Sequence, residues 1–227
     1  MTRGKIVGGI ITVILLILAV YGAWYFTSAE GKYQGLATSM EVQMDEATRT
    51  YLSGRLKTTQ AAVAATEQKG EEVSLNLYLS IASDAYSLGQ LVTAREAIET
   101  QLKGNPAHYG AWNTYGTVLE AMGDYDKALD AYKKAIDLGA KAEEFYRDYI
   151  TLFAVRYPED RNEVKRILDL SLAERGQSAW SMVQLARWYK ENGNCAQALD
   201  HYKVAVALAP ANTELAKEAA EAKSSCK

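Results

Sequence analysis

Apolar and small residues recur along this chain with a period of 34 residues. In the central copy, residues 109–142, two groups of such residues are separated by Gly123 and Asp124. The first group is Trp112, Tyr115, Gly116 and Leu119, and the second is Ala128, Tyr132 and Ala135. Spacings of three and four residues place each group on one helix face, and the Gly-Asp pair interrupts the helical pattern. The pattern therefore predicts two helices joined by a short turn.

Two further stretches, residues 75–108 and 179–212, fall into the same register. The first has Tyr78, Ile81, Ala82, Ala85, Gly89, Ala94, Ile98 and Pro106 at matching positions. The second has Met182, Leu185, Ala186, Tyr189, Gly193, Ala198, Tyr202, Ala205 and Pro210. Small residues recur at the same place in both helices of each copy, which predicts that the two helices approach closely. A fixed period of this length is typical of arrays of stacked helix pairs.

These positions resemble the tetratricopeptide repeat, whose pattern runs W-x2-L-G-x2-Y, then A-x3-F, then P. The resemblance covers residues 75–142 and 179–212. It implies an all-α fold in which helix-turn-helix repeats stack into an α-solenoid. In its architecture the chain resembles bacterial single-pass membrane-anchored periplasmic proteins of this superfamily.

The register also assigns the segments beside the clear repeats. Residues 143–178 exceed one period by two residues, which predicts a divergent repeat with a longer turn at Pro158, because proline stops a helix. Residues 41–74 predict either a helical hairpin with a turn near Gly54 or a degenerate repeat. Residues 213–227 predict a capping helix, which solenoids need to cover their last apolar face.

An uncharged run of 21 residues, rich in Ile, Val and Leu, lies at residues 6–26. At about 1.5 Å per helical residue it reaches roughly 31 Å, enough for a transmembrane helix. Because Arg3 and Lys5 precede the run, the positive-inside rule predicts residues 1–5 in the cytoplasm. The repeats then lie in the periplasm or another extracytoplasmic space, after a juxtamembrane segment at 27–40. The alternative is a cleaved signal peptide, although the run is longer than such signals usually have.

The charge balance argues against nucleic acid as a partner. Of the 25 basic residues, Arg3 and Lys5 precede the apolar run, which leaves 23 basic against 28 acidic residues in the remainder. An acidic domain without a Lys/Arg cluster repels polyanions such as nucleic acid and anionic lipid surfaces.

The two cysteines, Cys195 and Cys226, lie at the same helix-turn edge of adjacent repeats if the cap is counted as another first helix. In an oxidising compartment we expect them to form a disulfide that ties the cap to the array. The alternative is two independent thiols. A catalytic pair is not expected, because the chain has no Cys-x-x-Cys motif.

The sequence offers little chemistry. The two histidines, His108 and His201, have no further His or Cys at metal-ligand spacing. No phosphate-binding Gly-rich motif and no Gly-x-Ser-x-Gly elbow occurs. We therefore expect no catalytic residue, no metal, no cofactor and no small-molecule substrate.

What the resemblance implies instead is a protein-binding groove. In this repeat family the first helices line a groove, commonly at offsets 2, 5, 9 and 12 of each repeat. These offsets correspond here to Asn76, Leu79, Ser83, Tyr86, Asn113, Thr117, Glu120, Arg147, Thr151, Trp180, Val183, Arg187 and Lys190. Such a mixed surface suits an extended peptide or a partner helix. Trp180 is the leading hot-spot candidate, since aromatic residues dominate interface energetics. The alternative is that Trp180 packs against the divergent repeat at 143–178.

The leading hypothesis is a non-enzymatic, membrane-anchored adaptor that binds proteins of a cell-envelope complex in assembly, export or chaperoning. One alternative is a structural subunit that uses its transmembrane helix as an interface. The other is an organelle receptor whose repeats face the cytosol. The sequence leaves the oligomeric state open.

Overall fold

The computed structural model describes residues 32–226. The predicted transmembrane helix at 6–26 and the predicted cytoplasmic residues 1–5 lie outside the described residues. Among the helices that are described, none combines the length and the apolar character that crossing a membrane requires.

The described part of the chain is all helix and connecting segments, with no β-strand. Ten helices have both ends within it and are numbered here in chain order. They are α1 Glu46–Gln68, α2 Leu75–Ser87, α3 Leu91–Gly104, α4 Tyr109–Met122, α5 Tyr125–Asp137, α6 Glu143–Arg156, α7 Arg161–Arg175, α8 Ala179–Glu191, α9 Cys195–Leu208 and α10 Thr213–Ser225.

Two compact units divide these residues. The first contains the described residues up to Pro106 together with Thr117–Asp124, and the second contains Ala107–Gly116 and the residues from Tyr125 onward. The helices α1, α2 and α3 belong to the first unit, and α5 to α10 belong to the second.

The expected hairpin at residues 41–74 is wrong, because the structure has the single 23-residue helix α1 there. Gly54 lies inside this helix with open space around it, and an isolated glycine costs a helix only about 1 kcal/mol. Leu56 and Val63, seven residues apart, are buried on one continuous face against α2. On the same side Arg55 forms a two-point ion pair with the fully buried Asp84 of α2. Because these contacts lie on one face of α1 and involve one partner helix, α1 continues through Gly54 as a single helix.

The segment before α1 is held against the first unit. Tyr33 is buried, with the Arg95 guanidinium 4.8 Å from the centre of its ring. Further along, the Ala37 amide donates to the Met122 carbonyl at 2.8 Å, and the Met40 amide donates to the Gly89 carbonyl at 3.0 Å. Gly89 has a φ of +77°, a backbone conformation that favours glycine. A Cβ at this position would also collide with the Met40 carbonyl, so two separate reasons require glycine here.

Helix pairs with short turns follow, as α2 with α3, α4 with α5, α6 with α7 and α8 with α9. A glycine with positive φ lies in three of the turns, at Gly89, Gly123 and Gly193. The turn between α6 and α7 is longer, spans residues 157–160 and contains Pro158. The Asp160 side chain accepts a hydrogen bond from the Glu163 amide and caps the start of α7. A longer turn and an Asp cap thus replace the glycine turn.

Small residues let the helices of a pair approach closely. Ala82 and Ala94 in the first unit, and Ala186 and Ala198 in the second, are 0% exposed. Gly116 of α4 lies against the aromatic ring of Tyr132 on α5, and a Cβ at Gly116 would be 2.5 Å from that ring. Tyr132 is itself only 1% exposed, so its ring has no free space into which to move.

The C-terminal helix α10 packs on α9 and buries Leu215 and Ala222. Its far end is joined to the start of α9 by a disulfide between Cys195 and Cys226, whose Cα atoms are 5.4 Å apart. The link closes a loop that contains both α9 and α10.

The contrast between two glycines tests this account of the helix contacts. Gly116→Ala should destabilise the fold by about 1–3 kcal/mol, because the added methyl group collides with a buried ring. Gly54→Ala should stabilise it by about 0.5–1 kcal/mol, because the site is open and alanine favours a helix. Chemical denaturation followed by circular dichroism measures both. Equal effects of the two substitutions would contradict the close contact at Tyr132.

Candidate protein-binding surface

In the second unit, the helices α8 and α10 enclose an open depression of about 530 Å³, called here the α8/α10 depression. Its apolar part consists of Trp180, Val183 and Leu215. Carboxylates lie around it, at Glu143, Glu214 and Glu218. The arrangement is an apolar floor with a charged rim, which suits a side chain of a partner better than a small polar substrate.

Trp180 is positioned by the start of α8. Ser178 and Ser181 exchange side-chain and backbone hydrogen bonds in a capping box, which fixes the first turn of the helix. The guanidinium of Arg147 on α6 lies 5.5 Å from the centre of the Trp180 ring. Trp180 is half-buried, so one part of its ring is held by these contacts and another part faces the depression.

Glu143, at the start of α6, is the polar anchor beside Trp180. It accepts hydrogen bonds from the Ser178 hydroxyl, from Arg147 at 2.8 Å and from Arg175 at 3.4 Å. Burial raises the pKa of Glu143, but these three donors outweigh it and hold the pKa below its ordinary value. The carboxylate is therefore ionised at neutral pH and fixed in place.

On the other side of the depression, Arg187 of α8 is paired with the cap helix. Its Nε and one terminal nitrogen each donate to Glu218 at 2.7 Å, and the Tyr202 hydroxyl donates to the same carboxylate at 2.8 Å. The hydrogen bonds from Arg187 lower the pKa of Glu218 against the opposing effect of burial. Burial raises the pKa of Tyr202 to about 12, so its hydroxyl keeps its proton and remains a donor.

A second depression, of about 280 Å³, lies between α6 and α8 and is called the α6/α8 depression. The long turn after α6 contributes Tyr157 and Pro158 to it, and α8 contributes Trp188. The Trp188 indole donates to the Arg161 carbonyl at 2.7 Å, which fixes the ring against the start of α7. Gln184 and Arg187 line both depressions, so the two are neighbours along one side of α8.

The structure places the residues predicted for the groove in several environments. Trp180, Val183 and Arg187 line the α8/α10 depression, while Arg147, Thr151 and Lys190 are exposed on α6 and α8. Asn113 is half-buried and donates to Asp148 of α6 at 3.0 Å. In the first unit, Asn76 and Ser83 are exposed on α2, and Leu79, Tyr86, Thr117 and Glu120 are half-buried. Leu79 and Ser83 line a shallow depression beside α1.

The carboxylates that accept hydrogen bonds from Asn113 and Arg187 were not identified from the sequence. Asp148 and Glu218 are both the sixth residue of their repeats, and each accepts a hydrogen bond from a predicted groove residue of an earlier first helix. A polar residue at this offset in successive repeats is the signal that could have found them. Gln184, at the same offset in α8, also lines the surface.

The two histidines are occupied by local contacts. His108 Nδ1 accepts a hydrogen bond from the Ala111 amide at 3.0 Å, at the start of α4. His201 stacks on Tyr189 with ring centres 5.1 Å apart, and burial lowers its pKa. Within residues 32–226, no group of three or more His, Cys, Asp or Glu side chains is arranged to hold a metal ion.

Comparison with known proteins points to one repeat family. Residues 109–139 match the family model of the tetratricopeptide repeat. No curated protein matches the chain in sequence.

Three solved structures show the same fold. MamA is 14% identical, with 79% of this chain and 99% of that chain covered at a TM-score of 0.59. YrrB, described as a tetratricopeptide protein with an unusual peptide-binding site, is 15% identical, with 74% and 84% covered at a TM-score of 0.58. PilF of Pseudomonas aeruginosa is 16% identical, with 76% and 77% covered at a TM-score of 0.57. At these identities the likeness concerns the fold.

The pairing of Arg187 with Glu218 predicts how the attachment of α10 depends on pH. Because the pKa of Glu218 in the folded protein lies below the ordinary 4.5, its stabilisation is present at neutral pH and is lost as the pH falls through the folded-state value. Glu218→Gln should reduce stability at neutral pH by on the order of 0.5–1 kcal/mol. It should also flatten the acid dependence of amide hydrogen exchange in α10. Glu214→Gln, which removes an exposed carboxyl from the same helix, is the matched control and should leave that dependence unchanged.

Proposed function

We propose that this chain, a tetratricopeptide-repeat protein by its fold and by the repeat at residues 109–139, is a non-enzymatic scaffold that binds a protein or peptide partner. The partner contacts the side of the second unit formed by α6, α8 and α10. The observation that carries this proposal is the α8/α10 depression, which combines the half-buried ring of Trp180 with two carboxylates in fixed positions, Glu143 and Glu218. The buried Val183 and Leu215 form its floor.

The polar groups around the depression are held in place by contacts within the protein. Glu143 is held by a serine and two arginines, and Glu218 is held by Arg187 and Tyr202. These groups are already ordered before a partner binds. Placing a partner side chain in the depression therefore costs little conformational entropy of the protein. Aromatic side chains in such settings commonly provide most of the binding free energy.

The kind of partner follows from the shape and the chemistry. An open depression with an apolar floor accepts one or two large apolar side chains of an extended peptide or of a helix. The description of YrrB as a peptide-binding member of this fold supports a peptide as the occupant.

The role of Arg187 differs from that of a free cation in a groove. Its guanidinium makes two hydrogen bonds to Glu218, so a substitution at Arg187 also weakens the attachment of α10. Trp180 takes no part in the pair of Arg187 and Glu218, so its loss reports on partner binding more directly than a substitution at Arg187.

We further propose that the protein is anchored in the cytoplasmic membrane by residues 6–26, with its repeats in the periplasm or another extracytoplasmic space. The uncharged run and the cations Arg3 and Lys5 before it support this orientation. The disulfide between Cys195 and Cys226 is a second support, because such bonds persist in oxidising compartments and are rare in the cytosol. The proposed partner is then a component of a cell-envelope complex.

Binding at the depression is tested by photo-crosslinking in native membranes. A photoreactive amino acid at Thr151 on α6 should give specific adducts, and the same group at exposed Lys134 on α5 should give none. With the probe at Thr151, Trp180→Ala should reduce the adduct yield about tenfold or more, because it removes the aromatic anchor. Leu208→Ala, which shortens an exposed apolar residue of α9, should leave the yield unchanged. Equal adducts from both probe positions would contradict the proposed surface.

The orientation is tested by protease accessibility in sealed membranes. In right-side-out vesicles an added protease should digest the repeats, whereas in inside-out vesicles the repeats should be protected. The cysteines should resist alkylation in intact cells until a reductant is added. Digestion only in inside-out vesicles, with freely alkylated cysteines, would place the repeats in the cytosol and overturn the proposed anchoring while leaving partner binding untouched.

A further inference from the structure

A third depression, of about 470 Å³, lies between α9 and α10 and is called the α9/α10 groove. It shares no lining residue with the α8/α10 depression. From α9 it is lined by Leu199 and Val206, and from α10 by Ala216, Ala219 and Ala220. Ala216 and Ala220 are exposed, and Ala219, Leu199 and Val206 are half-buried. An apolar strip on both helices is thus in contact with solvent.

The repeat register shows which position of the helix array this groove corresponds to. If α10 is read as the first helix of a further repeat, Ala216, Ala219, Ala220 and Lys223 correspond to Met182, Leu185, Ala186 and Tyr189 of α8. In α8, the first three of these residues are nearly fully buried, and α9 packs against that helix. The α9/α10 groove is therefore the place that a second helix would occupy beside α10.

The composition of α10 departs from that of a simple cap. A terminal helix that only shields an array is expected to be polar on its outer face. In α10 the charged residues Glu214, Lys217 and Glu221 lie elsewhere on the helix, while the groove side carries three alanines. Alanine at these positions keeps the groove open and apolar.

We infer that the α9/α10 groove binds an amphipathic helix of a partner protein, which takes the position that the second helix of a further repeat would occupy. The helix carries large apolar residues on its contacting face and acidic residues beside them. This interaction surface is separate from the α8/α10 depression and does not depend on the function proposed for that depression.

The partner helix needs large apolar residues because it has to fill the volume of the α9/α10 groove. Within α8, the corresponding positions supply Met182, Leu185 and Tyr189, and the small residues Ala198 and Ala205 come from α9. In α10 the small residues are already present, so the incoming helix has to fill the space. The contact between Gly116 and Tyr132 shows the geometry, because Gly116 has the same offset as Ala220 and receives an aromatic ring directly on its backbone.

The partner helix needs acidic residues because the α9/α10 groove carries positive charge. Lys203 and Lys223 stand at the edges of the groove, with Asp200 as the single lining carboxylate. Neither lysine has an ion-pair partner among the described residues, and both are exposed. The local charge is thus positive on a chain whose net charge is −3. Carboxylates flanking the apolar face of a helix would meet these lysines.

The test uses the full chain with its disulfide intact and a fluorescent helical peptide of about 16 residues, with Leu at i, i+3, i+4 and i+7 and Glu on its other faces. Fluorescence anisotropy should show saturable binding. Ala220→Glu should weaken it about tenfold or more, because it places a charge in the apolar strip. Lys223→Glu together with Lys203→Glu should weaken the Glu peptide and strengthen a matched Lys peptide. Lys217→Glu, which changes an exposed lysine outside the groove, and Trp180→Ala are controls that should leave binding unchanged.

Four results would overturn the inference. The first is the absence of saturable binding by the Glu peptide to a chain whose circular dichroism is unaltered. The second is binding that Ala220→Glu does not affect. The third is self-association in sedimentation velocity that Ala220→Glu abolishes, which would assign the groove to a second copy of this chain. Loss of peptide binding in Trp180→Ala alone would place the peptide in the α8/α10 depression and would also count against the groove.

Discussion

The close approach of two helices within each repeat is the constraint on which the rest of this structure depends. It requires a small residue on the first helix where the second helix crosses, as Gly116 does beneath the ring of Tyr132. The fully buried Ala82 and Ala186 hold the corresponding place in other repeats. Since protein interiors leave little free volume, each such contact fixes the position of the next helix within its unit. The surface helices, and with them the candidate binding residues, take their positions from these crossings.

Polar contacts then determine which side chains remain available to a partner. In the second unit, donors that the sequence places in the groove are bound by carboxylates of a following first helix, as Asn113 is by Asp148 and Arg187 is by Glu218. The ion pair of Arg187 and Glu218 neutralises both charges, and the amide of Asn113 occupies one oxygen of the Asp148 carboxylate. At the α8/α10 depression, the large apolar side chain that stays partly exposed is Trp180.

Much of the fold can be predicted from the sequence, because the information is local. Spacings of three and four residues reveal each helix face, and a fixed period aligns one repeat with the next. The single helix at Glu46–Gln68 could not be predicted in this way, because Gly54 resembles a turn residue in the sequence, and the contacts of Arg55 with Asp84 join residues far apart in the chain. The ion pair of Arg187 and Glu218 was missed because the groove offsets were applied to each first helix separately, while the pair joins α8 to α10. The polar residue at the sixth position of successive repeats was the local signal for it.

The segment at residues 32–45 has a mechanical consequence. It is irregular in conformation, yet it is fastened to the first unit by the buried ring of Tyr33 and by backbone hydrogen bonds from Ala37 and Met40. This segment is not a flexible linker, because its contacts with the folded unit begin at Tyr33. Any tension that arrives at residue 32 acts first on the Tyr33 contact and on these hydrogen bonds, and only afterwards on the helices. A pull on residue 32 is therefore transmitted directly to the first unit.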